Sequence, residues 1–277
     1  MEDVAQEFQL EKGYRKWRMI DASRWLTLAG FFIAWQLFSM FNTAYQLFNP
    51  VFLPSPTMVL EAARDLISAG QLHVHILQSA FRLLVGFSLG TVGAVFLGIL
   101  IGRSRRLEGI VEPLINLIGP IPPFALLPMF IIWFGVGEPP KLLFIAYATF
   151  LPILASTVEG IKSVNPLLIR SALSLGSSET QVFRRVILQS ALPNIFVAMR
   201  VSLALSFSAL VVAEMIGADA GLGYLIIDSR NFFKMANMFL AASLIGLEYT
   251  LFSALLAKAE SRLFRWRKGG MAHAVER

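Results

Sequence analysis

Arg200, Glu214 and Glu248 carry charge where the chain is otherwise apolar. Arg200 and Glu214 share the stretch "NIFVAMRVSLALSFSALVVAEMIG", and Glu248 lies near the middle of the next apolar run. An ionisable side chain in such a stretch is costly, so it faces a partner or water and marks a solute path. For Arg200 that means contact with an anion; its bland alternative is snorkelling to the interface. Fourteen residues separate Arg200 from Glu214, about 21 Å along a helix, so the two do not pair within it. Phe207 falls between them near the same face. Glu214, near the end of the stretch, reads as a gate element or as a solvated carboxylate. Glu248 should be paired or face water, with Arg200 its nearest partner by depth. Ser202, Ser206 and Ser208 offer hydroxyls to a solute or, alternatively, to the carbonyls of the preceding turn.

Other chemistries are excluded by what the chain lacks. It has no cysteine and three histidines, His73, His75 and His273, so thiolate metal sites and disulfides are ruled out. No His/Asp/Glu or Ser/Lys groups converge at one depth, which argues against a membrane-embedded enzyme. No G-x-x-x-x-G-K-[ST] phosphate loop occurs; "GVGEPPK" at Gly135–Lys141 has the wrong spacing. No catalytic, cofactor or metal residues are expected, and nucleotide chemistry belongs to another chain.

These residues need helices to position them in lipid. Of the 277 residues 56% are hydrophobic and 15% charged, with a mean hydropathy of +0.65. A soluble domain carries closer to about 25% charge. Long apolar runs alternate with short charged ones, the layout of a polytopic membrane protein. Six spans are predicted: 25–41, 79–102, 110–134, 141–159, 194–217 and 238–257. The cations collect on one side of them. Lys12 to Arg24, Arg103, Arg105, Arg106, Lys162, Arg170, Arg184, Arg185 and the C-terminal basic cluster fall there. The opposite side holds Arg64, Arg82, Lys141, Arg230 and Lys234. The excess of positive charge puts both termini in the cytoplasm, so the basic balance reports topology and nucleic acid is not implied. The expected division is an N-terminal tail at 1–24, one membrane domain at 25–262 with a long loop at 160–193, and a C-terminal tail at 263–277.

Two features of the spans are structural signals. Gly86, Gly90, Ala94, Gly98 and Gly102 recur every fourth residue, a ridge that lets helix backbones approach closely in lipid. The third span contains "GPIPPFALLP", with prolines at 120, 122, 123 and 128. Each proline inside a helix removes a hydrogen bond and costs about 3 kcal/mol. Irregular backbone at membrane depth is tolerated where protein buries it or a cavity borders it. Pro122, Pro123 and Phe124 are therefore expected to break the helix beside the pathway or a tight neighbour; a plain kink is the alternative. Outside the spans, 53–70 reads as a short amphipathic helix opened by Pro56, and 218–234 as a re-entrant or surface loop.

The loop from Gly160 to Asn194 carries helix punctuation. Asn165 can cap, and Pro166 suits the first helical position. Leu168, Ala172 and Leu175 share a face. Gly176 can take the left-handed conformation that ends a helix. Ser178 with Gln181 forms a capping box for a second short helix, in which Phe183, Val186 and Ile187 make an apolar face beside Arg184 and Arg185. Pro193 opens the next span. The apolar ridge of this hairpin must be covered, by lipid headgroups or by a partner's groove.

The residues "SALSLGSSETQVFRRVILQSALP" resemble the EAA loop of permease subunits from binding-protein-dependent ABC importers. Gly176 stands at its glycine, Ser171 and Ala172 at its alanines, Val186 and Leu188 near its end. Arg170 replaces the usual acidic residue and Gln189 the usual proline. "FLPSPTMVL", "GPIPPFALLPMFIIWFGVGE" and "GLGYLI" follow the pattern of the nitrate/sulfonate/taurine/bicarbonate branch in order and spacing. The resemblance implies an all-α membrane protein with six transmembrane helices of the type I ABC importer kind. It implies a homodimer of permeases in a bacterial inner membrane, two ATPase subunits below, and a periplasmic or lipid-anchored solute-binding protein. The hairpin would be the coupling element, with Arg170, Ala172, Leu175, Gly176, Ser177, Ser178, Glu179, Phe183 and Arg184 meeting the ATPase. Pro122, Pro123, Phe124, Arg200, Phe207, Glu214 and Glu248 would border the path of a small anionic solute. The alternative is a secondary transporter driven by an ion gradient, which leaves the hairpin without a task.

Overall fold

A computed structural model of the protein describes residues 26–264. The expected tail at 1–24, Trp25, and positions 265–277 of the C-terminal tail lie outside them. The described chain is helical and falls into two units.

The first unit comprises residues 26–69 and 229–240. Helix α1 (Leu26–Tyr45) is apolar along its length. It turns back through a short 3-10 segment, Pro50–Phe52, into α2 (Pro56–Ser68). The Ser55 hydroxyl caps α2 by accepting from the Met58 N–H, and Pro56 occupies the first position, so the predicted start is where the helix begins. Polar side chains of α1 hold the turn. The Trp35 indole donates to the Pro54 carbonyl at 3.1 Å and the Ser39 hydroxyl to Leu53 at 3.0 Å. The Asn42 carbonyl oxygen accepts from the Phe48 N–H at 3.1 Å.

The second unit comprises residues 70–228 and 241–264. Its core is the packing of α3 (Leu72–Arg103), α6 (Glu138–Lys162) and α9 (Leu188–Gly217). The glycine ridge is the reason α3 and α6 approach so closely. A β-carbon at Gly86 would lie 2.7 Å from Ile145 Cβ, and one at Gly98 would lie 2.6 Å from Thr157 Cβ. Leu83, Phe144, Ile145, Leu203 and Leu210 fill the core beside the ridge. Tyr249 and Phe252 of α11 (Met235–Leu263) pack edge-on against Phe207.

The prolines break the third span. It is two helices, α4 (Arg105–Ile118) and α5 (Pro123–Phe134), whose axes meet at 101°. Pro122 is extended, with ψ 128°, as the residue before a proline must be, and Pro123 starts α5. The break falls where the prolines were expected to put it, but the predicted span at 110–134 begins earlier than expected, because Ser104 caps α4 through the Leu107 N–H. Among the described residues five helices are long and apolar enough to cross a membrane, or six if the bent pair counts as one.

Two other expectations are corrected. The second helix of the hairpin, α8 (Glu179–Val182), does not stop. It passes through a π-helical turn, Phe183–Ile187, into α9, a run of 39 residues from Glu179 to Gly217. Pro193 thus sits inside a helix and opens none, as prolines do in membrane helices. The stretch 218–234, expected as a loop, contains α10 (Leu222–Asn231). Side-chain partners of its first turn, described below, account for that helix.

Candidate functional site

The hairpin is built as its punctuation dictates. The Asn165 side chain accepts from the Leu167 N–H, and Pro166 begins α7 (Pro166–Ser174). Gly176 has φ +83°, a left-handed conformation that other residues resist. The Ser177 N–H donates back to Ala172 and the Gly176 N–H to Leu173, closing the end of α7. Ser178 and Gln181 make the reciprocal capping box. Between these fixed ends, Leu167, Leu168, Leu173 and Leu175 are exposed, Leu175 by 87%. Arg170, Ser178, Glu179 and Arg184 are exposed around this apolar tip, and Ala172, Ser177 and Phe183 are half-buried. The Arg103 guanidinium lies 5.3 Å from the centre of the Phe183 ring, which ties the hairpin to the end of α3. The arrangement is a rigid, capped tip with bare leucines.

Near that end of α6 and α9 lies a cavity of about 590 Å³. Its walls include Glu108, Glu112 and Asn116 on one face of α4, Ser156, Glu159 and Lys162 on α6, and Asn194 on α9. Lys162 pairs with Glu108 across it. Sequence reasoning missed these residues because it began the apolar span at 110 and read the residues before the proline break as lipid-facing. The spacing of Glu108, Glu112 and Asn116, every fourth residue, was the available signal for a polar helix face.

At the opposite end of α6 and α9 is a buried cluster of ions. Glu214 is 1% exposed and Arg82 is 2% exposed. Arg82 grips Glu138 with Nε at 2.8 Å and Nη2 at 2.7 Å, a bidentate pair, while its Nη1 reaches Glu214 at 2.8 Å and the Ala220 carbonyl at 2.5 Å. Lys141 donates to Glu138 at 2.8 Å. The Ser79 hydroxyl donates to the Glu214 carboxylate, which also takes the Gly223 N–H at 2.8 Å. Ser79 accepts from the Leu222 N–H at 2.8 Å, and His75 Nδ1 accepts from the Gly221 N–H at 3.1 Å. The start of α10 is thereby bonded to side chains of α3 and α9. The sequence alone places Arg82 among the cations on the side opposite the hairpin. It falls in register with Ser79, Gly86 and Gly90, so an arginine on the packing ridge was the overlooked sign.

The other expected pathway residues are dispersed. Arg200 forms an ion pair with Glu260, and not with Glu248. The depth argument failed because α11 presents a second acid closer to the hairpin end. Glu248 is buried, and neither carboxylate oxygen has a hydrogen-bond partner among the described residues. Phe207 is buried in the core. Phe124 is 64% exposed beside the α4–α5 bend with Pro122. Ser206 and Ser208 donate to carbonyls one turn back, Ser202 and Ala204, as their alternative role requires. His75 stacks on Tyr224.

Comparison with known proteins separates the two transport classes. The model of the family described as "Binding-protein-dependent transport system inner membrane component" matches residues 94–265. The taurine transport system permease protein TauC of Escherichia coli (strain K12) is 35% identical over 257 residues, covering 91% of this chain and 93% of that one. A putative aliphatic sulfonates transport permease protein SsuC of Bacillus subtilis (strain 168) is 35% identical over 215 residues, 78% of each chain. Among solved structures, an inward-facing MetNI methionine ABC transporter chain aligns with a TM-score of 0.58 at 19% identity, over 70% of this chain and 94% of that one. An amino acid ABC transporter solved with histidines aligns with a TM-score of 0.57 at 19% identity, over 73% and 96%. These structures share the fold.

Proposed function

We propose, for a chain that belongs to the inner membrane components of binding-protein-dependent transport systems, a solute class, an assembly and a route for force. The chain is the multi-pass permease subunit of an ABC importer, a transport component and not an enzyme, with ATP hydrolysis in a separate subunit. An ATPase and a solute-binding protein are its partners.

The solute is a small organosulfonate, with taurine and short alkanesulfonates as the first candidates; the names of the relatives support this class. Two copies of the chain form the pore. Both termini and the hairpin lie in the cytoplasm, on the evidence of the cation distribution. Membrane domain 25–262 conducts, and the tails flank it. Pro122, Pro123 and Phe124 border the path at the α4–α5 bend, Phe207 and Glu248 at mid-depth, and Arg200 at the inner end. Glu214 acts at the outer end.

The observation that carries the force route is Leu175: a leucine 87% exposed at the tip of a hairpin capped at both ends. An apolar knob held this rigidly fits a groove of a partner, and Arg170, Ala172, Gly176, Ser177, Ser178, Glu179, Phe183 and Arg184 form its surround. The α8–α9 helix transmits displacement into the membrane.

The test is uptake by the complete complex in vesicles. Taurine or butanesulfonate should enter on ATP, while nitrate and bicarbonate should not; entry of nitrate with no sulfonate uptake rejects the solute class. Leu175→Asp changes no buried contact and should cut ATP-driven uptake by about ten-fold or more, as loss of a docking anchor does. Undiminished uptake in that variant removes the hairpin from the force route.

A further inference from the structure

The glycine ridge and its core pack α3, α6 and α9, and the buried cluster at their far end adds bonds that reach beyond those helices. Burying ions costs several kcal/mol each unless every one is paired. Here the pairing is directed at a turn. Glu214 takes the Gly223 N–H, Arg82 the Ala220 carbonyl, Ser79 the Leu222 N–H and His75 the Gly221 N–H. Gly221 has φ +130°, and a β-carbon there would overlap the Glu214 carboxylate. The turn therefore closes around that carboxylate and depends on it. Leu222, at the start of α10, is fully buried as a result.

Glu214 lies three residues from the end of the helical run that begins at Glu179. That run of 39 residues is about 57 Å long. One rod thus carries the hairpin's second helix at one end and the turn's anchor at the other. A shift of the rod by even 1–2 Å, about the size of helix movements in switching proteins, breaks hydrogen bonds of 2.8 Å at Glu214.

We propose that Arg82 and Glu214 are positioning residues that lock the 218–223 turn shut at the far end of the translocation route, and that α9 carries hairpin displacement to this lock. The lock rests on the permease reading, and its actuation rests on the hairpin as the site of force. Opening the far end then requires Glu214 to move against Arg82 and Ser79. Arg82 remains held by Glu138 on α6, so the pair re-forms when the rod returns.

The chain has no native cysteine, so Leu222→Cys supplies a single thiol. In the assembled complex in vesicles, that thiol should resist an impermeant maleimide added on the side opposite the hairpin. Adding Glu214→Gln should speed labelling by about ten-fold or more, the change expected when a local opening loses about 1.4 kcal/mol of protection. The same variant should hydrolyse more ATP per solute moved, which a merely structural role would not produce. Ser79→Ala keeps both charges and gives a milder opening if Glu214→Gln fails to assemble. Labelling unchanged in both variants, or faster labelling with an unchanged ratio of ATP to solute, overturns the proposal. ATP trapping should also speed labelling of Leu222→Cys, and Leu175→Asp should abolish that effect. If the ATP effect survives Leu175→Asp while Glu214→Gln still labels fast, the hairpin assignment fails and the lock stands.

Discussion

Arg200 shows how much a single partner changes the meaning of a charged residue. In the sequence it is a lone cation in an apolar run; in the structure it is half-exposed and paired with Glu260. A pair this accessible contributes about 0–1 kcal/mol to stability, so its loss should not unfold the subunit. Two variants separate solute contact from simple pairing. Arg200→Ala should abolish uptake with assembly intact if the guanidinium meets the solute, while Glu260→Gln should retain it. Equal losses in both variants reduce Arg200 to a structural pair. Glu248 has the opposite character, a buried carboxylate without a hydrogen-bond partner among the described residues. Such a group is costly to keep and points to a role outside stability. Neither environment was legible in the sequence, because depth along a helix does not say which neighbouring helix is opposite.

Among elements, the ridge of α3 and the hairpin were both legible. Their signals are local: spacing by four, and capping residues at fixed offsets. The ridge makes a quantitative prediction. A β-carbon at Gly90 would lie 2.7 Å from Thr149 Cβ on α6, and closer still to the Ala146 carbonyl oxygen of the same helix. Gly90→Ala must push α3 and α6 apart and should cost about 1–3 kcal/mol, the usual range for overpacking. Thermal unfolding of the detergent-solubilised subunit reads this, with Gly93→Ala as the control, since its β-carbon would meet no atom closer than 3.6 Å. The joining of α8 to α9 was less visible. Pro193 suggested a helix start, yet the helix runs through it. The continuity matters because a break there would absorb the displacement that the lock needs.

For the whole molecule, the decisive property is sidedness. The cation distribution predicts that the α7–α8 hairpin faces the cytoplasm with both termini. A cysteine at the exposed Ser178 should react with impermeant maleimide in inside-out vesicles and stay protected in right-side-out ones; the reverse pattern inverts the topology and, with it, the coupling scheme. Leu117, Ile132 and Trp133 leave α4 and α5 broadly apolar and exposed, a surface that the proposed second copy and lipid would cover between them.

The amino-acid sequence by itself determined the membrane character, the α3 ridge, the break at the prolines and the capped hairpin. Each is written in composition or in spacings of a few residues, where backbone geometry leaves few choices. Only the tertiary structure decided that Arg82, Glu138 and Glu214 converge, that Arg200 meets Glu260, and that Glu108, Glu112 and Asn116 face a cavity. Arg82 and Glu214 are 132 positions apart, and no local rule brings them together. Their meeting follows from how α3, α6 and α9 pack, because an ion buried in lipid-spanning helices is tolerated only where another helix delivers its counter-charge.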